Sequence, residues 1–423
     1  MPRHLHLKTE RYLPWGLLAW GALGVVLHIG LARFAYGVVL PALRTELGLG
    51  YTAGGLLNAI HMAGYLTGTL LGPALARRWG MAAMARGAHV LVAAGALLCA
   101  LAPAEGAAGV WVLAAGRLAT GLGAGVAVIA IMVRVLSGVA DDRRARASVW
   151  IWTGMAVAIL ACGIGVPWLL QPGAWRWAFA LAGLVAILLA VAFPAPVATF
   201  SGANASAAAQ TAAQAVVPLR FGLQAMASRR WLGLITAYFC FGLGYIAYAT
   251  FAGARMAAAA TPVAQVSLTW ITLGLSTLLG SACTLWLLGQ PRWRGWALPV
   301  AMGLAAAGSA VAALPMGGAA LAGAVLVGLG LAATPALVTA ATRDRCSAAD
   351  YPRAFSMATA ALGLGQLVGP VLAGALADLL GSAAAPLVAA AAYGLGALLA
   401  ALDQRWAARP NPLPGHHTTP PKH

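Results

Sequence analysis

Charge is scarce in this sequence, and negative charge scarcer still. Of 423 residues 8% are charged, with nine Asp and Glu against 26 Lys and Arg. A water-exposed surface keeps roughly 25% charged residues, so a soluble globular class is excluded. Cysteine is also sparse: five residues with no C-x-x-C pair, which argues against a disulfide or thiolate–metal framework. Cys99, Cys162, Cys240 and Cys283 lie in apolar runs and are expected to be small buried residues, while Cys346 lies in a loop. No G-x-x-x-x-G-K-[ST] occurs, and Gly121-x-Gly-x-Gly125 lacks both the spacing and the preceding strand of a dinucleotide-binding turn. Close histidine pairs are limited to His4/His6 and His416/His417 in the terminal segments. No nucleophile, base and metal-ligand constellation is visible, so neither an enzyme nor a cofactor site is expected. A sensor would normally append a soluble signalling domain, and none is visible.

What the chain does have is long apolar runs. Hydrophobic residues make up 61% of it. Runs of ~20 residues, enough to span a bilayer, fall near 15–42, 51–75, 82–103, 109–137, 146–171, 175–197, 230–255, 263–289, 295–314, 317–341, 352–380 and 382–404. The expected fold class is an all-α membrane protein of twelve transmembrane helices in two pseudo-symmetric six-helix halves. The expected division is a first half over 1–197, a cytoplasmic linker over 198–229 rich in Ala, Ser, Gln and Asn, a second half over 230–409, and a disordered Pro- and His-rich tail over 410–423. Met1 to Pro14, with Arg3, Lys8 and Arg11, resembles the basic part of a signal peptide. The apolar run behind it, Trp15 to Leu40, is too long for one and is read as a retained span.

The formal charge of +17 is spread through short gaps between runs instead of being gathered with aromatics on one face, so no nucleic acid is expected as partner. With the N-terminus in the cytoplasm, Arg77/Arg78, Arg143/Arg144/Arg146, Arg229/Arg230, Arg292/Arg294, Arg343/Arg345/Arg353 and Arg405/Arg409 all fall inside. Arg44, Arg176 and Arg255 fall outside. That bias predicts a multi-pass protein of a bacterial inner membrane with both termini cytoplasmic.

The halves echo each other. Gly30-Leu-Ala-Arg-Phe-Ala-Tyr36 aligns with Gly242-Leu-Gly-Tyr-Ile-Ala-Tyr248, and Gly121-Leu-Gly-Ala-Gly125 with Gly328-Leu-Gly330. Runs 5 and 11 each hold a mid-run proline, Pro167 and Pro370. Two repeats with a site between them permit alternating access by rocking.

Several motifs resemble the major facilitator superfamily (MFS). Gly116-Arg117-Leu-Ala-Thr-Gly121 resembles its span 4 R-x-x-x-G motif. Ala174-Trp-Arg-Trp-Ala-Phe-Ala-Leu-Ala182 resembles its entrance to span 6, and Gly365-Gln-Leu-Val-Gly-Pro370 its span 11 pattern. Gly30 to Tyr36 with Leu40-Pro41, then Ala53-Gly-Gly through Gly64-Tyr65-Leu66, is similar to the YbfB/YjiJ-type branch. The resemblance implies the MFS fold and transport. The chain departs from the family after span 2, where Arg77 replaces the aspartate of G-x-L-A-D-R-x-G. Around Gly163 to Pro167 the span 5 antiporter signature is incomplete.

Candidate substrate-binding residues begin with Arg33, inside span 1. A charge there costs ~2.5–3.5 kcal/mol on insertion scales, and its planar fork suits carboxylate or phosphate. Tyr36, three residues on, is expected on the same face. Arg117, two turns inside span 4, either touches substrate or braces helices. Gly54, Asn58, His61, Tyr65, Gly68 and Gly72 form a polar and small stripe on span 2 that either lines a cavity or packs closely. Tyr238, Tyr245 and Tyr248 on span 7, Trp270 on span 8 and Gln366 on span 11 complete a mildly polar aromatic lining. No acid lies at mid-membrane, so a coupling proton, if carried, falls to His28 or His61.

The reading that results is a secondary carrier for a small organic anion or acidic amphipathic compound, in the bilayer and functional as a monomer. Export of neutral or hydrophobic compounds is the alternative.

Overall fold

A computed structural model describes residues 14–104, 106–139, 143–193, 229–288, 290, 293, 295–347 and 350–407. Within them the chain forms twelve helical rods and no strand. The first six are α1 (Trp15–Leu47), α2 (Tyr51–Trp79), α3 (Met81–Ala100), α4 (Gly106–Ser137), α5 (Arg144–Leu169) and α6 (Trp175–Val191). The second six are α7 (Arg229–Ala258), α8 (Val263–Leu288), α9 (Ala297–Ala313), α10 (Ala319–Asp344), α11 (Tyr351–Leu380) and α12 (Ala384–Ala407).

Among the described residues nine helices are long and apolar enough to cross a membrane. α6 and α9 are apolar but have 17 residues each, at the lower limit for a span. α2 has the length, 29 residues, and falls short in hydropathy because its polar and glycine stripe dilutes the apolar content. The first run continues as helix past the expected end at 42 to Leu47, with Pro41 inside it, and α6 stops at Val191, short of 197. The N-terminal basic segment, all of the expected linker except Arg229, and the tail over 410–423 lie outside the described residues. Cys283 is exposed on α8, against the expectation that it is buried, because it sits on the outward face of that helix.

Large apolar side chains such as Leu70, Trp177, Val191 and Leu379 cover the outside. Exposed Trp15, Trp79, Trp168, Trp177 and Trp286 sit near helix ends, where amphipathic rings anchor a protein at both membrane surfaces.

Each main contact in the first half has a counterpart six helices on. α2 packs on α4 as α8 does on α10, α3 on α4 as α9 on α10, α3 on α6 as α9 on α12, and α1 on α5 as α7 on α11. The echoed glycines carry these contacts. Gly30 lies against Ala158 of α5, and Gly242 against Leu362 of α11. Gly121 meets His61 of α2 while Gly328 meets Ser276 of α8. A side chain at any of these positions would push two helices apart, so the repeat in sequence is a repeat in packing.

The halves meet along α1–α7, α2–α11 and α5–α8. At the end away from the termini the contact is tightest. Gly37 and Gly253 let α1 and α7 touch backbone to backbone. α2 begins there at Gly50 without a side-chain cap of its own. The Asp378 carboxylate of α11 supplies one from the other half, accepting from Tyr51 N at 2.7 Å, Thr52 N at 2.8 Å and Thr52 Oγ1 at 2.6 Å. An anion at a helix N-terminus satisfies its free N–H groups and opposes its dipole.

The middle of α1, Val26–Ala35, is π-helical, with i→i+5 bonding. π turns are rare and recur at functional sites, and this one holds both His28 and Arg33.

Candidate functional site

Arg33 lies at the junction of the halves and is 5% exposed. Its Nη1 donates to the Tyr245 hydroxyl of α7 at 3.0 Å. The guanidinium sits 4.7 Å from the centre of the Tyr65 ring of α2 and 6.0 Å from that of Tyr245, within range for cation–π attraction. Its Nε is buried with no partner. No described carboxylate is hydrogen-bonded to it.

Arg117 is also buried, and its three nitrogens are all engaged. Nη2 donates to Asn58 Oδ1 at 2.6 Å, Nη1 to the Ala32 carbonyl at 3.0 Å and Nε to the Leu57 carbonyl at 3.4 Å. Its face lies 4.4 Å from the centre of the Tyr36 ring. Asn58 extends the network into the other half, donating through Nδ2 to Thr250 Oγ1 at 2.6 Å. Thr250 in turn donates to the Ile246 carbonyl at 2.6 Å. Arg117 thus braces α4 against α1 and α2, leaving Arg33 as the guanidinium with an unpaired Nε.

Tyr36 pairs with Arg117 and donates to the Gly54 carbonyl at 2.7 Å, so it does not share a face with Arg33 as expected. The reason is the π winding, in which residues three apart no longer stack. The stripe on α2 divides its labour. Gly64 and Gly68 pack against Leu118 and Leu122 of α4, while Asn58, His61 and Tyr65 make the polar and ring contacts.

His61 Nδ1 lies 3.1 Å from Thr120 Oγ1, and that hydroxyl donates its proton to the Arg117 carbonyl at 2.9 Å. Nε2 is buried without a partner. His28 stands elsewhere. It packs on His89 of α3 with ring centres 5.0 Å apart, and neither of its nitrogens has a partner. It lines a cavity of about 30 Å³ inside the first half, together with Tyr36, Arg117 and Thr120.

On α7, Tyr238, Phe241 and Tyr245 stack along one face, with centres 5.9 and 5.8 Å apart and planes within 18° and 12°. Trp270 joins them through Phe34 of α1, edge-on at 6.3 Å. Tyr248 lies apart, lining a second small cavity with Arg255 and Thr269. Gln366 is buried on α11 with no hydrogen bond or ring contact to Arg33. Sequence reasoning missed Thr120, Thr250, Phe34, Phe241 and Tyr393. Phe241 could have been found as the i+3 and i−4 neighbour of two tyrosines already on one face. The threonines carry no signal in sequence, since each becomes a partner only through packing of another helix.

Comparison with solved structures finds the same architecture in other membrane proteins. The chain is similar to a mutant of the nucleoside transporter NupG (TM-score 0.70, 14% identity, covering 92% of this chain and 99% of that one). It is similar to a D-xylose–proton symporter (TM-score 0.68, 15% identity, 94% and 97%). A bacterial homologue of the human lysosomal transporter Spinster, inward-facing and occupied, matches with TM-score 0.67, 16% identity, and 95% and 97% coverage. At these identities the likeness shows the fold. No curated protein matches the chain. A family profile described as "Uncharacterised MFS-type transporter YbfB" matches residues 25–402, and with twelve helices in two six-helix repeats the chain belongs to that family of membrane transporters.

Proposed function

We propose that this transporter carries a small organic anion, or an amphipathic compound with an acidic group, bound at Arg33 between the halves. The observation that carries the reading is a guanidinium, 5% exposed, with its Nε unpaired and no described carboxylate bonded to it. A buried charge without a counter-charge is costly, several kcal/mol per ion, and a hydroxyl and ring faces offset that only in part. An anion arriving at Arg33 offsets that cost, whereas a cation adds to it. Alternating access needs its site where both halves contribute, and Arg33 of α1, Tyr65 of α2 and Tyr245 of α7 meet there. The positive-inside bias supports cytoplasmic termini in a bacterial inner membrane, and the proposed working unit is a monomer. His28 and His61 are the candidate carriers of a coupling proton.

The test is a thermal-shift screen of the purified protein against organic anions, cations and neutral hydrophobic compounds, with Arg33→Gln in parallel. A ligand at 100 times its Kd stabilises by ~2.7 kcal/mol. Stabilisation by anions that disappears in the variant supports the reading. Stabilisation by neutral compounds or cations, unchanged in the variant, moves the function to export of hydrophobic compounds.

A further inference from the structure

We infer that the anion is an aromatic carboxylate, its charge on Arg33 and its ring laid against the tyrosine and phenylalanine faces of α7. The inference rests on the reading of Arg33 as an anion site and narrows it.

Tyr238, Phe241 and Tyr245 present a nearly parallel run of rings, with planes within 18° and 12°, and Arg33 bonds to the last of them. Packing alone would account for buried rings. It does not account for the polar atoms around them. The Trp270 Nε1, the Tyr393 hydroxyl and the Arg33 Nε are all buried without a partner. Trp270 reaches the run through Phe34, and Tyr393 touches Phe241 with centres 5.8 Å apart. Buried Trp and Tyr usually pair their N–H and O–H groups. Three such groups border this one ring cluster, where the polar atoms of an occupant would find donors.

The cluster is also divided by the interface. Arg33 and Phe34 belong to the first half, and the α7 rings, Trp270 and Tyr393 to the second. Parting the halves breaks the Arg33–Tyr245 bond and bares the Tyr245 face beside the freed guanidinium. A planar acid matches both surfaces at once, since a carboxylate takes the guanidinium edge and an arene stacks on an arene. A saturated acid of the same size matches only the first.

The experiment measures Kd from the concentration dependence of the thermal midpoint for benzoate and 2-naphthoate. Cyclohexanecarboxylate serves as the saturated anion and benzyl alcohol as the neutral arene. The aromatic acids are expected to bind about three- to tenfold tighter than the saturated acid. That preference is expected to shrink in Phe241→Leu, which keeps the apolar volume but removes the middle ring of the run. Equal affinity for benzoate and cyclohexanecarboxylate in the unaltered protein overturns the aromatic assignment and leaves the anion reading standing. Equal affinity for benzoate and benzyl alcohol, or no binding of any acid, overturns both. The deciding comparisons are made on the unaltered protein, so they hold even if Phe241→Leu does not fold.

Discussion

Arg33 and Tyr245 occupy equivalent positions in the two repeats, 212 residues apart, and they bond to each other. The same shift relates Gly37 to Ala249, whose carbonyl is its nearest neighbour across the interface. A pseudo-twofold axis therefore runs between α1 and α7, so like positions face like. A faithful repeat would set two arginines against each other there. Tyrosine in one copy converts that repulsion into a hydrogen bond and leaves a single charge on the axis. Tyr245→Phe keeps the ring and removes the bond, and is expected to weaken closure of the halves by about 1.5 kcal/mol, the lower end for a bond from a charged donor. Tyr245→Arg is expected to block closure. Distances between spin labels on Thr45 and Met316, exposed on opposite halves at the end away from the termini, would report both, and an unchanged distribution in Tyr245→Arg would refute the axial arrangement.

The same label pair tests the cap that α11 places on α2. Asp378→Asn keeps the shape and removes the negative charge that three donors share. Because the site faces solvent, a shift of about 1 kcal/mol is expected, roughly fivefold in favour of the conformer parted at this end. Asp378→Glu, with its longer reach, is expected to restore part of the closed population.

Asn58 is held from both sides, accepting from Arg117 and donating to Thr250. Asn58→Leu leaves a buried guanidinium nitrogen and a buried hydroxyl each short of a bond, and is expected to cost about 3 kcal/mol. Thr250→Val is expected to cost about 2 kcal/mol, since it removes the acceptor of Asn58 Nδ2 and the hydroxyl's own bond to the Ile246 carbonyl, both neutral. Thermal unfolding of the two single variants and the double variant gives the coupling. A coupling near zero would mean that the contact between halves contributes nothing.

Gly37 allows backbone contact between α1 and α7 with no room for a Cβ. Gly37→Val is expected to hold the protein parted at this end while leaving each half folded. A longer distance between spin labels on Thr45 and Met316 than in the Gly37 protein is the readout.

Much of this was legible in sequence because membrane helices write their interfaces in small and polar residues. The glycine echoes foretold two like halves, and Arg33, Asn58, His61, Tyr65 and Arg117 stood out as polar groups in apolar surroundings. What stayed hidden depends on distance between helices. Thr250 is an unremarked threonine until Asn58 arrives opposite it, and Asp378 looks like an ordinary helix-end acid until α2 begins within its reach. Arg33 and Tyr36 were placed on one face by assuming α-helical spacing, and the winding of Val26–Ala35 separates them.

That winding gives α1 two pitches along one rod. Where a π turn relaxes to an α turn, every residue beyond it is re-aimed around the axis while those before it stay in place. Trp20, seated against Phe193, and Leu40, in the core near the far end, need not turn together. A change of winding ahead of Arg33 would swing it away from Tyr245 while Trp20 stays seated, so the charge would change partners with one end of α1 held in place.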